Sequence, residues 1–410
     1  MKFSAPRGTR DILPAEQPFW RLVIRTIEEL CDVYDYRRLV TPGFEETGLF
    51  LRTSGEGSDI VRKEMYTFED RGGRSLTLRP EGTPPTARAY VEHGLSRGPQ
   101  PFKAYMVASM YRYDRPQKGR FREHWQWNAE AIGSADPAID AEIVQLYDEL
   151  ARRLGVRYHL ELNSIGDRTC RPAYIERLKA WLTEHDDILD ADAREKLERS
   201  PLRIFDTKDP ELEAALREAP TIGESLCAEC ERHFDDVRRF LDALGVRYEI
   251  VPTLARGLDY YTRTTFEFVG EALGAKNVIC GGGRYDYLVE EIGGPPTPGI
   301  GFGAGLDRLI IQLEEEGIEA GEDDGIDVFF AWGEGAPRER ILPLMVDLRR
   351  AGRRCDADYA GRSLKGQLTQ ARRLGAETIV IVGAEQATIR RSGEEDVAVS
   401  LDELPGILAG

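Results

Sequence analysis

Apolar positions between residues 15 and 33 recur with helical spacing. Trp20, Val23, Ile24, Ile27, Leu30 and Cys31 fall on one face and predict an amphipathic helix. The pattern then changes. Between residues 36 and 133, short β-rich pieces such as MYTF, SLTL and FKAYMVASMYRY lie among glycines, prolines and charges, which predicts an antiparallel sheet with long loops. Asp136 followed by Pro137 marks a helix start. Ile139, Ile143, Leu146, Leu150 and Leu154 form its stripe, and Gly155 marks its end. A strand is expected over 156–162.

The joint Leu154-Gly155-Val156-Arg157-Tyr158 returns as Leu244-Gly245-Val246-Arg247-Tyr248. The flanking sequences do not match, so these are two helix-to-strand joints and not a repeated domain. Residues 171–244 are mostly helical in pattern and highly charged, and read as a helical insertion within 167–244. Residues 264–269 and 277–280 are strand-like, and 306–313 start a helix. EEEGIEAGEDDG (314–325) is acidic and glycine-bearing, as a linker would be. Beyond it come the apolar strand IDVFFAW, a helix over 343–351 ended by Gly352, a helix over 363–374 ended by Gly375, and the strand TIVIVG. The expected fold is α+β: an antiparallel sheet flanked by helices over 1–325, and a small α/β domain over 326–410.

Composition changes this picture little. With 410 residues, 41% of them hydrophobic and 31% charged, the chain is ordinary for globular domains. It has no run of about 18 apolar residues to span a membrane. MKFSAPRGTRDILP carries charges and two prolines where a signal peptide needs an apolar stretch, so a cytoplasmic protein is expected. The net charge of −17 argues against non-specific coating of nucleic acid. Residues 326–410 hold 12 basic and 13 acidic residues, so the acidity belongs to the larger part, which points to different tasks. Six cysteines make no disulfide framework. Cys227, Cys230 and His233 supply three metal ligands at most, so ordinary cysteines beside a helix are favoured over a zinc site and no metal site is assigned.

Five segments carry candidate chemistry. RYDRPQKGRFREHWQWNAE (112–130) crowds Arg112, Arg115, Lys118, Arg120 and Arg122 into a hairpin loop. Guanidinium groups bind phosphate bidentately, so the loop suits a polyphosphate, and interleaved Tyr113, Trp125 and Trp127 speak against a merely solvated loop. RPEGTPP (79–85) sets a carboxylate and a hydroxyl beside a turn, where they could hold an ammonium group. GGGRYD (281–286) and GIGFGAGLDR (299–308) match neither dinucleotide nor Walker spacing. Period-two glycines in the latter suit a strand over which a flat ligand lies close to backbone. RGLDYYTRTTFEF (256–268) joins an arginine, an acid and two tyrosines to a strand, on which neighbours face opposite ways, so that one tyrosine enters a pocket while the other packs.

Together these segments resemble the histidyl-tRNA synthetases, a family of class II aminoacyl-tRNA synthetases, over essentially the whole chain from PRGTRDILP (6–14) onward. TPGFEETGLFLRTSG (41–55) resembles the family's dimer-forming motif 1, residues 111–130 its motif 2 and residues 301–308 its motif 3. RGLDYY and GGGRYD resemble its histidine-specific segments, and residues 358–376 its anticodon-binding domain. The resemblance implies a class II catalytic sheet, ATP-dependent activation of L-histidine, Mg²⁺ with the ATP phosphates, transfer to tRNA(His), and a homodimer. It implies that Glu81 and Thr83, with Gln126, hold the histidine ammonium, that Glu130 and Tyr261 read the imidazole nitrogens, and that Gly82 and Tyr260 belong to the same site. Arg112 would hold the α-phosphate, and Arg120 and Arg308 the outer phosphates. Arg256 would lie against the histidine carboxylate and α-phosphate. Arg112 and Arg256 are thus the expected catalytic residues. One position departs: the family usually has Phe against adenine where this chain has His124, with Trp125 beside it. The competing expectation is a non-catalytic relative, the regulatory subunit of ATP phosphoribosyltransferase, which shares the catalytic fold but typically lacks the last domain and several substrate residues. A third, an RNA-sensing pseudo-synthetase module, belongs in a longer chain with a kinase.

Overall fold

The computed structural model describes residues 3–409 apart from 56, 57, 59, 116, 200, 208, 256, 272–276 and 322–324. The chain divides into two compact units, residues 1–320 and 321–410.

The first unit is built on an eight-stranded sheet. Its order is Arg37–Arg38, Phe102–Tyr111, Glu123–Ile132, Gly299–Gly305, Asn277–Arg284, Thr262–Gly270, Tyr158–Ser164 and Glu249–Ile250. Neighbours pair antiparallel, except for the two-residue edge strands, which pair parallel. The strand expected at 277–280 runs on through the glycines to Arg284, because partners on both sides fill its hydrogen bonds and outweigh the weak strand preference of glycine.

Local signals set the helices. Asp136 Oδ1 accepts the Ala138 amide at 2.9 Å, Pro137 opens the helix Pro137–Leu154, and Gly155 leaves it in the left-handed region. This helix joins Gln17–Val33, Ala228–Ala243 and Leu306–Glu315 on one face of the sheet. Their apolar stripes bury Trp127, Ala129 and Ala131 from Glu123–Ile132 together with Phe266, Phe268 and Phe302. Period two then turns Gln126, Asn128 and Glu130 to the opposite face. Within the body, Arg284 and Asp140 are both buried and form an ion pair, and the Thr264 hydroxyl donates to Asp140 at 2.6 Å.

The described residues of 171–222 form helices around a cluster of their own that includes Tyr174, Leu178, Leu182, Ile204, Leu212 and Ile222. The following helix Ala228–Ala243 instead packs into the main core through Val237 and Leu241. A three-stranded sheet of Phe44–Glu46, Ser75–Leu78 and Thr67–Glu69 carries the helix Thr47–Ser54 at its side.

The second unit is a five-stranded sheet ordered Cys355–Ala357, Val328–Trp332, Thr378–Val382, Gln386–Arg391 and Val397–Ser400. The first three strands are parallel and the last two antiparallel. Helices Arg338–Arg350, Leu364–Arg373 and Leu404–Ala409 accompany it. The hairpin 386–400 does not stand out in the sequence, since its exposed arginines and acids mask a short alternation. Among the described residues no helix is long and apolar enough to cross a membrane.

Candidate active site

The polar face of Glu123–Ile132 forms the floor of a cavity. Gln126 and Asn128 line it, and the glycines of Gly299–Gly305 make room beside them. A Cβ at Gly303 would lie 2.1 Å from Gln126 Nε2, and one at Gly301 would lie 1.8 Å from Glu130 Oε2. The alternating glycines therefore admit side chains of the neighbouring strand, and Gly303 and Gly305 are also part of the lining. Among the described residues, Gln126 Oε1 and Asn128 Oδ1 are buried acceptors with no hydrogen-bond donor. Buried acceptors are rarely left so, which makes them places for a ligand's N–H groups.

Glu81 and Thr83 enter where Ser75–Leu78 passes into the helix Thr83–Glu92. Gly82 is the residue before the helix, and Pro84 and Pro85 sit in its first turn, where a missing N–H is harmless. A Cβ at Gly82 would meet the Asn128 side chain at 2.6 Å, so Gly82 shapes the wall without lining the cavity. Glu81 accepts from the Ser54 hydroxyl at 2.9 Å and from the Tyr260 hydroxyl at 2.6 Å. Tyr260 and Tyr261 precede the strand, which begins at Thr262, so strand alternation does not part them. Their ring centroids lie 4.6 Å apart, and both line the cavity.

Glu130 lies one layer behind. Its two oxygens accept from Thr83 at 2.7 Å and from Tyr285 at 2.6 Å. Burial pushes its pKa up to about 8, against the lowering effect of those two bonds, and the nearby Glu81 charge adds to the rise. Free of ligand, Glu130 therefore carries its proton near neutral pH. Ser54 and Tyr285 were not among the residues singled out from sequence for this site. Tyr285 stands in the GGGRYD segment, but its bond to Glu130 spans 155 positions.

The arginines separate by environment. Arg112, Arg120 and Arg308 line the cavity. Arg112 Nε donates to the Pro80 carbonyl at 2.8 Å, Arg308 Nη1 to the Val278 carbonyl at 2.6 Å and Arg308 Nε to the Gly119 carbonyl at 3.1 Å. Burial, followed by the charges of Arg120 and Arg112, lowers the Arg308 pKa to about 10. Like charges gathered around one cavity make a place for an anion. Of the other basic residues in the hairpin, Arg122 lies over the Tyr113 ring at 3.7 Å, Lys118 pairs with Glu315, and Arg115 is exposed. Arg256 lies outside the described residues.

His124 lines the same cavity. Loss of water, then the charges of Arg112 and Arg308, drive its pKa down to about 3. The ring is thus neutral across physiological pH and presents a flat face like the Phe it replaces. Trp125 lies beside it, edge-on to Trp20 at 6.0 Å. Asp307 ties this end together: it accepts the Trp125 amide at 2.8 Å and Arg10 Nη2 at 3.2 Å. That contact ties the charged N-terminal segment to the helix that follows the glycine-rich strand.

A family profile described as histidyl-tRNA synthetase matches residues 8–309, three quarters of the chain and every segment that builds the cavity. The chain belongs to the histidyl-tRNA synthetase family. It is 47% identical to the histidine–tRNA ligase of Moorella thermoacetica, over 99% of this chain and 96% of that one. It is 43% identical to the histidine–tRNA ligase of Caldanaerobacter subterraneus, over 98% and 99%. Among solved structures, the apo histidyl-tRNA synthetase of S. aureus covers 100% of both chains with a TM-score of 0.83 at 36% identity. The α+β fold of this chain is that of the synthetase family, with the antiparallel sheet as its catalytic body.

Proposed function

We propose that the protein activates L-histidine with ATP to histidyl-adenylate and transfers the histidyl group to the 3′ end of tRNA(His). One observation carries this reading. A single cavity gathers the guanidinium groups of Arg112, Arg120 and Arg308 beside the polar set Glu81, Thr83, Gln126 and Tyr261. The first group suits a polyphosphate, and the second an amino acid with a polar side chain.

On this reading Glu81, Thr83 and the unpaired Gln126 oxygen hold the histidine ammonium. Glu130, through its second lone pairs, and the Tyr261 hydroxyl read the two imidazole nitrogens. The histidine carboxylate attacks the α-phosphorus in line, and pyrophosphate leaves. Such a transfer needs positioning and charge neutralisation more than covalent help, which arginines supply. Arg112 takes the α-phosphate, Arg120 and Arg308 the outer phosphates, and Arg256 the charge between carboxylate and α-phosphate. Adenine stacks on neutral His124. Mg²⁺ bound with the nucleotide phosphates would supply charge neutralisation for the leaving pyrophosphate. Asp114, which pairs with Arg120 at 3.3 Å, and Glu267 both act on Arg308 by their charge and are the carboxylates that would hold Mg²⁺. The terminal ribose hydroxyl of the tRNA then attacks the adenylate carbonyl and AMP leaves.

The same reading makes the protein a cytoplasmic homodimer joined through residues 41–55, with residues 326–410 engaging the anticodon. The regulatory-subunit alternative has no use for an amino-acid-binding set beside a phosphate-binding one, and the full-length relatives named as ligases speak for catalysis. Exchange of labelled pyrophosphate into ATP tests the proposal. Histidine-dependent exchange is expected. Its absence in folded protein would remove the reading in favour of the regulatory one.

A further inference from the structure

The strand Tyr158–Ser164 leaves the sheet through Ile165, Gly166 and Asp167, and Cys170 stands just before the helix Arg171–Glu184. The chain comes back at Cys227, just before the helix Ala228–Ala243, with Cys230 in that helix's first turn. At this neck the ligand atoms of Asp167, Cys170, Cys227 and Cys230 all lie within 4.8 Å of one another, and all but Cys227 are buried. Three of the chain's six cysteines thus meet at one point. The third thiol and the carboxylate are the ligands that the CxxC pair lacked in the sequence.

We propose that these four residues bind one structural Zn²⁺, which clasps the base of the helical segment 171–222 to the catalytic sheet. The separations fit. A tetrahedral zinc with Zn–S of about 2.3 Å and Zn–O of about 2.0 Å sets S···S edges of about 3.8 Å and S···O edges of about 3.5 Å. Cys170 Sγ lies 3.8 Å from Cys230 Sγ and 3.6 Å from Asp167 Oδ1. Three soft thiolates with one carboxylate favour zinc over Mg²⁺ or Ca²⁺.

The surroundings suit thiolates. The Asp167 amide donates to Cys170 Sγ at 3.4 Å, and the amides of Glu229 and Cys230 donate to the Cys227 sulfur. Three thiolates, one carboxylate and Zn²⁺ leave a net charge of −2. The Arg263 guanidinium lies 3.4 Å from Asp167 Oδ2, and the Arg171 guanidinium feels the charges of Cys170 and Asp167. Arg263, which also pairs with Glu229 at 2.5 Å, and Arg171 thus offset part of the excess. Gly166 permits the approach: its φ is +62°, and a Cβ there would stand 2.5 Å from Cys170 Sγ.

The clasp sits close to the amino-acid pocket. The Arg263 amide donates to the Gly166 carbonyl at 2.7 Å, and the Ile165 amide to the Arg263 carbonyl at 2.8 Å. Arg171 Nη2 donates to the Tyr261 carbonyl at 2.6 Å. Metal binding releases the thiol protons and holds together two chain segments more than 50 positions apart, so it contributes to folding as well as to local order.

The full-length protein, purified under reducing conditions and dialysed against zinc and then against metal-free buffer, is assayed by elemental mass spectrometry. About one zinc per chain is expected. Replacement by Co²⁺ should give the intense visible bands and near-ultraviolet charge transfer of a tetrahedral thiolate site. Alkylation should spare Cys170, Cys227 and Cys230 until a chelator is added, with no chelator-dependent change at Cys31, Cys280 or Cys355. The double variant Cys227→Ser/Cys230→Ser should lose the zinc. If that variant does not fold, the cobalt spectrum and the alkylation pattern of the wild type decide. Three outcomes overturn the proposal: no retained zinc and no cobalt spectrum in reduced wild type, zinc retained in the folded double variant, or a Cys170–Cys230 disulfide in the native protein.

Discussion

Tyr285→Phe tests the amino-acid pocket through a residue that touches no ligand in the proposed mechanism. The substitution keeps the ring and removes one hydroxyl, so it opens no cavity of consequence. That hydroxyl donates to Glu130 Oε2 at 2.6 Å in a fully buried site, and Thr83 supplies the other donor. Stranding a buried acceptor costs about 1–3 kcal/mol. At about 1.4 kcal/mol per factor of ten, kcat/KM for histidine should fall by about 5- to 140-fold, while KM for ATP stays near the wild-type value. The pH dependence adds a signature. Burial holds the Glu130 pKa up at about 8, and the Tyr285 bond opposes that rise. Removing the bond therefore moves the pKa higher. If Glu130 reads the imidazole N–H as a carboxylate, activity depends on its ionised form, and the acid limb of the kcat/KM profile for histidine should shift to higher pH in the variant. Histidine-dependent pyrophosphate exchange from about pH 6 to 9, run side by side with wild type, measures both quantities. The titration of histidine itself is common to the two proteins and drops out of the comparison. Unchanged kcat/KM with an unshifted profile would refute the argument, and a loss of activity without a shift would make Tyr285 a packing residue only.

Arg308→Ala should lower the rate of adenylate formation by about 10²–10³, as loss of one preorganised charge donor does, with little change in histidine KM; single-turnover kinetics would show it. His124 is neutral far above its pKa of about 3, so His124→Phe should keep the ATP KM within about threefold, and neither protein should show a titration of that KM between about pH 6 and 8. Asp140→Ala leaves the buried Arg284 guanidinium without its main partner and should destabilise the protein by about 3–5 kcal/mol in urea unfolding, whereas a surface pair such as Arg340–Asp402 should give less than about 1 kcal/mol. A chain ending at residue 325 retains the whole first unit and its core, so it should keep pyrophosphate exchange and charge tRNA poorly; normal charging would contradict the task assigned to residues 326–410.

Where a few neighbouring residues set the energy, the sequence by itself determined the outcome. The helix Pro137–Leu154 follows from an Asp cap, a proline at the first position, an apolar stripe and a terminal glycine, and each of these acts within about four residues. Period-two patterning likewise determined which residues of Glu123–Ile132 enter the core and which face the site. The family segments named the residues around the cavity because each segment is contiguous. Composition does not separate Arg112, Arg115, Arg120 and Arg122; the family resemblance singled out Arg112 and Arg120, and the tertiary structure puts those two in the cavity lining. Tertiary structure alone brought Ser54 to Glu81, Arg10 to Asp307 and Tyr285 to Glu130. It also drew Cys170 against Cys230 across 60 positions, which turned an incomplete CxxC into a four-ligand cluster. The order of the sheet, in which Glu123–Ile132, Gly299–Gly305, Asn277–Arg284 and Thr262–Gly270 lie side by side, joins these distant pieces. That order is selected by burial of the whole core and by pairing of every strand, a cooperative balance that no short stretch of sequence contains.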